Sequence, residues 1–197
     1  RTNRKNKSTF LKAKTFTQVR INMKLLKTLS TSLFIIALSG GYVTATEPLN
    51  NTEVVKKADI KNFAAHSNLV YSAAQPSKEQ LKQLSKADVK HVINLRGANE
   101  QDWDEGEFVQ ALGMDYHALP ISGAQDITVE NARNLASLLK KLNGEPVLVH
   151  CASSNRVGAL VAISAHEEGL SVDEALEKGR RWGMKSLESK VRDIISK

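Results

Sequence analysis

The sequence holds a single cysteine among its 197 residues, so the chain cannot close an internal disulfide. A domain of roughly 150 residues can bury a sufficient core without such a cross-link. The five histidines are scattered, and no cysteine or histidine pairs have the spacing of a zinc site. We therefore expect neither a disulfide framework nor a metal site.

Acidic residues are absent from residues 1–45, which hold nine lysines and arginines. The rest of the chain carries 19 basic and 21 acidic residues, so the net charge of +7 belongs to the front segment. A nucleic-acid-binding domain would carry its positive charge in the folded part. We therefore expect no nucleic-acid partner.

Residues 23–45 have the composition of a secretory signal peptide. A cationic start at Lys24 and Lys27 precedes an apolar run over residues 29–38, and the small residues that end at Ala45 offer a cleavage site. The run is short and interrupted by Ser and Thr, which does not favour a membrane span. We predict a periplasmic or secreted protein with no stable membrane insertion after cleavage. An uncleaved N-terminal anchor is the alternative.

The remaining segments also differ in composition. Residues 1–22 are basic and lack a starting Met, and we interpret them as a non-native or mis-started leader. Residues 46–60 are polar and are predicted to be a tether. The tether leads into one domain, predicted over residues 61–197.

Along residues 61–197, apolar segments of strand length alternate with segments of helical period, which favours an α/β fold. Candidate strands span residues 69–72, 89–95, 114–119 and 147–150. Candidate helices span residues 77–86, 107–112, 128–142, 157–168, 171–181 and 186–195, with Ser77, Thr128, Ser171 and Ser186 as their capping residues. We predict a mainly parallel sheet flanked by helices, with a helical C-terminal tail. Such sheets bind ligands at the carboxyl ends of their strands.

Residues 146–159 form the stretch on which the functional hypothesis depends. An apolar strand ends at Cys151, a short polar loop follows, and Arg156 stands at the start of an apolar helix. A helix N-terminus attracts anions, and arginine offers a planar fork of donors suited to phosphate oxygens. A cation and a helix N-terminus also favour the ionised form of a cysteine. The corner can therefore combine a nucleophile with an oxyanion cradle.

This arrangement of His-Cys, a short loop, Arg and a helix resembles the signature of the cysteine-dependent protein tyrosine and dual-specificity phosphatases. Within this superfamily the chain resembles a bacterial branch, the phosphatase-like domain of beta-lactamase hydrolase-like proteins, and the resemblance covers roughly residues 60–197. Three departures stand out. The spacing is Cys-x4-Arg instead of Cys-x5-Arg, Ser153 and Ser154 replace the loop glycine, and Val157 replaces the Ser or Thr that usually follows Arg.

The resemblance implies a role for each residue of the loop. Cys151 is expected to be the nucleophile, Arg156 the phosphate clamp, and His150 a support that orients the loop. The backbone of the loop is expected to cradle the phosphate, which involves Ala152, Ser153, Ser154 and Asn155. The reaction needs no cofactor, and the expected partner is a phosphorylated protein or a small phosphorylated molecule.

A general acid is also expected, because the leaving oxygen needs a proton. Asp126 lies on the loop where the family carries this acid, although it could equally be a helix-capping residue. Asp102, Asp104 and Glu105 are second candidates that could instead form a solvated acidic loop. Arg96 follows a strand and could add positive potential at the site or pair with a loop carboxylate.

Two other functions fit parts of the pattern. A rhodanese-like sulfurtransferase also tends to use a Cys-x4-Arg loop, with a persulfide on Cys151. The three helices predicted after residue 158 instead resemble the tail of phosphatases. A non-catalytic oxyanion-binding module is the other alternative, since Val157 and the absent glycine could impair turnover.

Overall fold

A computed structural model describes residues 51–197 of the chain, and a five-stranded sheet forms its centre. The strands are β1 (Ala64–Ala65), β2 (Val70–Ala73), β3 (His91–Asn94), β4 (Asp115–Ala118) and β5 (Val147–His150). They lie in the order β1-β2-β5-β3-β4, and only the short β1 runs antiparallel to its neighbour. The predicted α/β fold with a mainly parallel sheet is confirmed.

Seven helices surround this sheet in the described part of the chain. They are α1 (Asn51–Lys56), α2 (Lys78–Lys86), α3 (Glu105–Ala111), α4 (Val129–Lys141), α5 (Asn155–Glu167), α6 (Val172–Arg181) and α7 (Glu188–Ile195). Short 3-10 turns occur at Ala98–Glu100 and Ala124–Asp126. The last three helices form the predicted C-terminal tail. None of the helices between residues 51 and 197 has the length and apolar character needed to cross a bilayer.

The sheet buries both faces, because alternate residues of each strand point to opposite sides. In β5, Val147 and Val149 join an apolar cluster with α4 to α7, while Leu148 joins a second cluster with α1 to α3. All four residues of β5 are buried. The strand that precedes Cys151 is therefore the centre of the core, which fixes the position of its carboxyl end.

Most of the predicted helix starts are confirmed by their capping contacts. Ser77 and Ser171 each form a complete capping box, and the side chain of Thr128 accepts a hydrogen bond from the Asn131 backbone. The prediction for Ser186 is wrong. Helix α7 starts after Leu187 without a side-chain cap, because the Ser186 hydroxyl instead accepts a hydrogen bond from Asn155 Nδ2.

The predicted tether over residues 46–60 is corrected where the structure describes it. Residues 51–56 form α1, and Val55, Ala58 and Ile60 are buried in the second apolar cluster. The packed part of the domain therefore reaches back at least to α1. The leader predicted at residues 1–22 and the signal peptide at 23–45 lie outside the described residues.

Helices α5 and α6 approach each other closely at two glycines. A Cβ atom on Gly158 would overlap the backbone of Met184 and Gly179, and one on Gly179 would lie 2.8 Å from the Gly158 carbonyl oxygen. Side chains would force the two helices apart. The contact holds the start of α5, and with it the preceding loop, against the C-terminal tail.

Candidate active site

Cys151 lies at the carboxyl end of the central strand β5, between β2 and β3. It is a free cysteine and only 1% exposed. Val157, which replaces the usual hydroxyl residue after Arg156, belongs to the same apolar cluster. The structure therefore places the cysteine at the predicted strand-to-helix corner, at the edge where parallel sheets bind ligands.

Ser154 explains how the loop turns without the glycine of the related motif. Its φ angle is 68°, a left-handed conformation that is uncommon for residues other than glycine. The side chain is fully buried, and its hydroxyl donates a hydrogen bond of 3.0 Å to the carbonyl of Trp182. Gly183 packs so closely on Ser154 that a Cβ there would lie 2.5 Å from the serine Cβ. The tail thus stabilises the backbone conformation that glycine would otherwise supply.

The start of α5 presents backbone donors to the loop. No side chain caps this helix, and its first backbone hydrogen bond runs from Gly158 N–H to the Ser154 carbonyl. The N–H groups of Asn155, Arg156 and Val157 precede that bond, so they point out of the helix end as in other anion sites. This geometry suits an oxyanion beside Cys151.

The polar side chains of the loop itself take structural roles. Asn155 Oδ1 accepts a hydrogen bond from Lys185 N–H at 2.7 Å, and its Nδ2 donates to Ser186. Ala152 and Ser153 are exposed, and the Ser153 carbonyl accepts from Asn62 Nδ2 at 3.0 Å. Any contribution of Ser154 and Asn155 to a cradle therefore comes from the backbone.

Arg156 is held by a carboxylate on the rim of the site. Its Nη1 and Nη2 donate to Glu100 Oε1 and Oε2 at 2.6 and 2.7 Å, and Nη1 also donates to the Ile121 carbonyl. These contacts use three of the five N–H donors of the guanidinium. The remaining pair, on Nε and Nη2, forms a parallel fork of the kind that binds phosphate oxygens.

The charges around Arg156 reinforce this arrangement. The pKa of Arg156 is raised, first by its hydrogen bonds to Glu100 and also by the neighbouring Cys151 sulfur. The pKa of Glu100 is lowered to about 2, first by the hydrogen bonds from Arg156, and the charge of Arg96 acts in the same direction. Both groups of the pair are therefore ionised at neutral pH.

His150, the residue before Cys151, meets a carboxylate below the loop. Its Nε2 lies 2.9 Å from Glu105 Oε1, and neither side chain is exposed. The contact has ion-pair distance without the alignment of a hydrogen bond. The other carboxylate oxygen, Oε2, accepts hydrogen bonds from Asn94 Nδ2 at 2.9 Å and Gln75 Nε2 at 3.0 Å.

Arg96 connects the buried and the rim carboxylates. Its Nη1 donates to Gln75 Oε1 at 2.6 Å, and its Nε lies 3.9 Å from Glu100 Oε2. Its backbone N–H donates to Asn94 Oδ1 at 2.7 Å. Arg96 therefore faces the same end of the sheet as the loop, and it lies near a loop carboxylate.

The candidate acids differ in their surroundings. Asp126 Oδ2 accepts a hydrogen bond of 2.8 Å from Ser122 N–H, a contact within its own loop. Asp102 is exposed, and Asp104 caps α3 by accepting from Glu107 N–H at 2.8 Å. The interpretation of Glu105 as part of a solvated loop is wrong, because its carboxylate is buried beside His150.

The sequence pattern predicts neither the contact of Glu100 with Arg156 nor that of Glu105 with His150. Local patterns do not show either contact, since the partners lie 56 and 45 positions away along the chain. The available signal was the cluster of acids directly after the strand that ends at Asn94. Between residues 51 and 197, no group of three or more His, Cys, Asp or Glu side chains is arranged to hold a metal ion.

A central parallel sheet that ends in a buried cysteine, followed by an uncapped helix start that carries an arginine, is the arrangement of the cysteine-dependent phosphatases. Residues 45–196 match the model of a family described as DSP-PTPase phosphatase fused to NAD+ kinase (PTP-NADK). The chain belongs to this family. A comparison with curated protein sequences gives no significant match.

Solved structures show the same fold. A DUF442 protein from Shewanella putrefaciens CN-32 is 22% identical with a TM-score of 0.55, over 72% of this chain and 95% of that one. Tk-PTP in its active form is 21% identical with a TM-score of 0.55, over 69% and 97%. A Cys-to-Ser variant of P. aeruginosa TpbA, solved in complex with phosphotyrosine, is 19% identical with a TM-score of 0.50, over 70% and 84%. These structures confirm the fold, and the family match confirms the predicted superfamily.

Proposed function

We propose that this protein hydrolyses phosphate monoesters through a cysteinyl-phosphate intermediate on Cys151. The observation that carries the proposal is the position of Arg156 five residues after Cys151, at the start of α5, where Glu100 and the Ile121 carbonyl take three of its five N–H donors and leave the pair on Nε and Nη2 for a ligand. Two parallel donors and the helix start can bind the non-bridging oxygens of a phosphoryl group whose phosphorus faces the sulfur.

The reaction proceeds in two displacement steps. The Cys151 thiolate attacks phosphorus, a P–S bond forms, and the bond from phosphorus to the leaving oxygen breaks. The leaving oxygen takes a proton from a protein acid and departs as an alcohol or phenol. Water then attacks phosphorus, the P–S bond breaks, and inorganic phosphate leaves while the proton of the water passes to the carboxylate produced in the first step.

Asp126 is the proposed acid, because its loop borders the site. The Ile121 carbonyl of that loop accepts a hydrogen bond from Arg156, and the same loop carries Asp126. If Asp126 protonates the leaving group, Asp126→Asn should slow the hydrolysis of phenyl phosphate much more than that of p-nitrophenyl phosphate, whose phenolate leaves without help. Equal losses on both substrates would assign Asp126 to loop structure alone.

The substrate class is a phosphorylated protein or a small phosphate ester. TpbA, a structural neighbour, binds phosphotyrosine, which supports testing aryl phosphates first. A panel of phosphotyrosine peptides, phosphoserine peptides and sugar phosphates should rank the classes by kcat/KM. Proposed export to the periplasm or medium can be tested by fractionation of cells that express the full chain.

The decisive comparison is wild type against Cys151→Ser on p-nitrophenyl phosphate, with Ser189→Ala as a control. Ser189 is exposed on α7 and lies outside the loop. We expect no turnover in Cys151→Ser and near-normal turnover in the control. Equal rates in all three proteins would contradict the proposal. Phosphate binding without turnover in wild type would favour an oxyanion-binding module, and transfer of sulfur from thiosulfate to cyanide would favour a sulfurtransferase.

A further inference from the structure

A polar network lies under the catalytic loop, and nothing in the phosphatase reaction described above uses its central residue. Glu105 is the first residue of α3, and its side chain is completely buried. A buried carboxylate is costly unless it is paired and hydrogen-bonded. The position needs an explanation beyond helix capping.

Interaction with the helix dipole does not explain this burial. Acidic side chains in a first helical turn are stabilising while they stay at the surface. Asp104 already caps α3, and Glu107 is an exposed acid in the same turn. The inward orientation of Glu105 therefore serves its contacts in the interior.

Those contacts reach both functional ends of the loop. On one side, Glu105 Oε1 lies 2.9 Å from His150 Nε2, next to Cys151 in the chain. On the other side, Oε2 accepts from Gln75, whose Oε1 accepts from Arg96. Arg96 lies 3.9 Å from Glu100, which binds Arg156.

His150 depends on this carboxylate more than on any other group nearby. The imidazole is fully buried, and neither ring nitrogen has an aligned hydrogen-bond acceptor within residues 51–197. Leaving a buried polar group without compensation is destabilising. The carboxylate at 2.9 Å compensates that burial, and it favours the tautomer that carries a proton on Nε2.

We infer that Glu105 is a positioning residue for the proposed phosphatase reaction. Its buried carboxylate fixes the ring of His150, and so the turn that aims the Cys151 sulfur at the anion site. Through Asn94 and Gln75 it also fixes the ends of β3 and β2, on which the loop rests. The inference rests on the proposed function, but its consequences for the thiol can be measured without turnover.

The test uses the fact that Cys151 is the only cysteine of the chain. Iodoacetamide alkylation of the full-length protein, followed by intact mass over a range of pH, reports on this one sulfur. Removal of a negative charge by itself favours the thiolate and would raise the alkylation rate. In Glu105→Gln, which preserves shape but removes the charge, we instead expect the rate near neutral pH to fall about tenfold, because the sulfur is no longer held beside the helix start and Arg156. The matched control is Glu107→Gln, which removes the same charge from the same turn at an exposed site.

A double variant shows whether the effect passes through His150. If it does, Glu105→Gln adds little to the loss caused by His150→Asn, so the two losses are not additive. An unchanged alkylation profile in a folded Glu105→Gln protein would overturn the inference. So would equal rates in Glu105→Gln and Glu107→Gln, which would indicate that the buried position of Glu105 is not what matters.

A second measurement needs no Glu105 variant and covers the case in which Glu105→Gln does not fold. Proton–nitrogen NMR of the wild-type histidine rings should show a solvent-protected Nε2–H for His150, assigned by loss of the signal in His150→Asn. A His150 ring protonated only at Nδ1 would contradict the inference. If alkylation and NMR agree with it while Cys151→Ser keeps full phosphatase activity, the proposed function fails and the positioning role of Glu105 stands.

Discussion

Two carboxylates support the catalytic loop, one below it and one at its rim, and they differ in exposure. The side chain of Glu105 is 0% exposed beside His150, whereas that of Glu100 is 30% exposed beside Arg156. Removal of one partner from a buried pair leaves an uncompensated charge in the interior. Water screens an exposed pair and can replace a lost partner.

The difference indicates a division of roles. The buried pair contributes to the stability of the fold and fixes where the sulfur lies. We expect the rim pair to contribute less to stability and, under the proposed function, to orient the guanidinium toward the phosphoryl group. Substitution of Glu105 should therefore lower mainly the stability of the fold, and substitution of Glu100 should lower mainly the activity.

The largest expected effect is on stability, in Glu105→Ala. We expect a loss of about 3–5 kcal/mol, because His150, Gln75 and Asn94 would keep buried polar groups without their partner. Glu100→Ala should lose less, because the Glu100 side chain is 30% exposed and water can solvate the guanidinium that is left behind. Urea unfolding of both variants beside wild type measures the two values. Equal losses would remove the distinction between the buried and the rim pair.

The next largest effect concerns the left-handed turn of the loop. Ser154→Ala should cost about 1–3 kcal/mol, because the carbonyl of Trp182 loses its buried donor. Ser154→Gly should cost less, since glycine relieves the left-handed backbone by about 1 kcal/mol. Thermal unfolding can rank these variants, with the exposed Ser153→Ala expected near wild type. A larger loss in the glycine variant than in the alanine variant would contradict this account of the missing glycine.

At the rim, Glu100→Gln should change activity more than stability. The guanidinium keeps a neutral acceptor but loses its bidentate charged partner, so we expect kcat/KM on p-nitrophenyl phosphate to fall about tenfold, or about 1.4 kcal/mol. Steady-state kinetics and urea unfolding on the same protein separate the two effects. A large shift of the urea unfolding midpoint with an unchanged kcat/KM would contradict the role of Glu100 in orienting Arg156.

The smallest effect is a pH dependence of the rim pair. The pKa of Glu100 is lowered in the folded protein to about 2 from 4.5, first by its hydrogen bonds with Arg156. Because the folded value lies below the unfolded one, this contribution to stability is complete above about pH 4.5 and is lost as the pH falls toward 2. The stability difference between wild type and Glu100→Gln should therefore shrink between pH 5 and pH 3. A stability difference that stays constant from pH 5 to pH 3 would show that the ionised Glu100 carboxylate does not cause it.

The framework of the site could be predicted from the sequence because its signals are local. The apolar run before His150 predicts β5 with its observed bounds, and the capping residues Ser77, Thr128 and Ser171 mark three helix starts. Residues 146–159 also predict the loop after Cys151 and the helix start that carries Arg156. These features depend on neighbours within a few positions.

The supports of the site could not be predicted, because they depend on contacts across the fold. The pattern predicts a helix from residue 107, but α3 begins at Glu105, and this shift of half a turn places the carboxylate inside the protein. Ser186 has the chemistry of a helix cap, yet Asn155 donates to its hydroxyl from another element. In both cases tertiary packing decides between local options of similar energy.

The most direct test of the central claim is rapid acid quenching of the wild-type protein during turnover of p-nitrophenyl phosphate, followed by intact mass and peptide mapping. The account predicts one phosphoryl group per chain, located on Cys151 and absent from Cys151→Ser. Steady turnover with the phosphoryl group on another residue, or with none on the protein while product forms in Cys151→Ser, would contradict it.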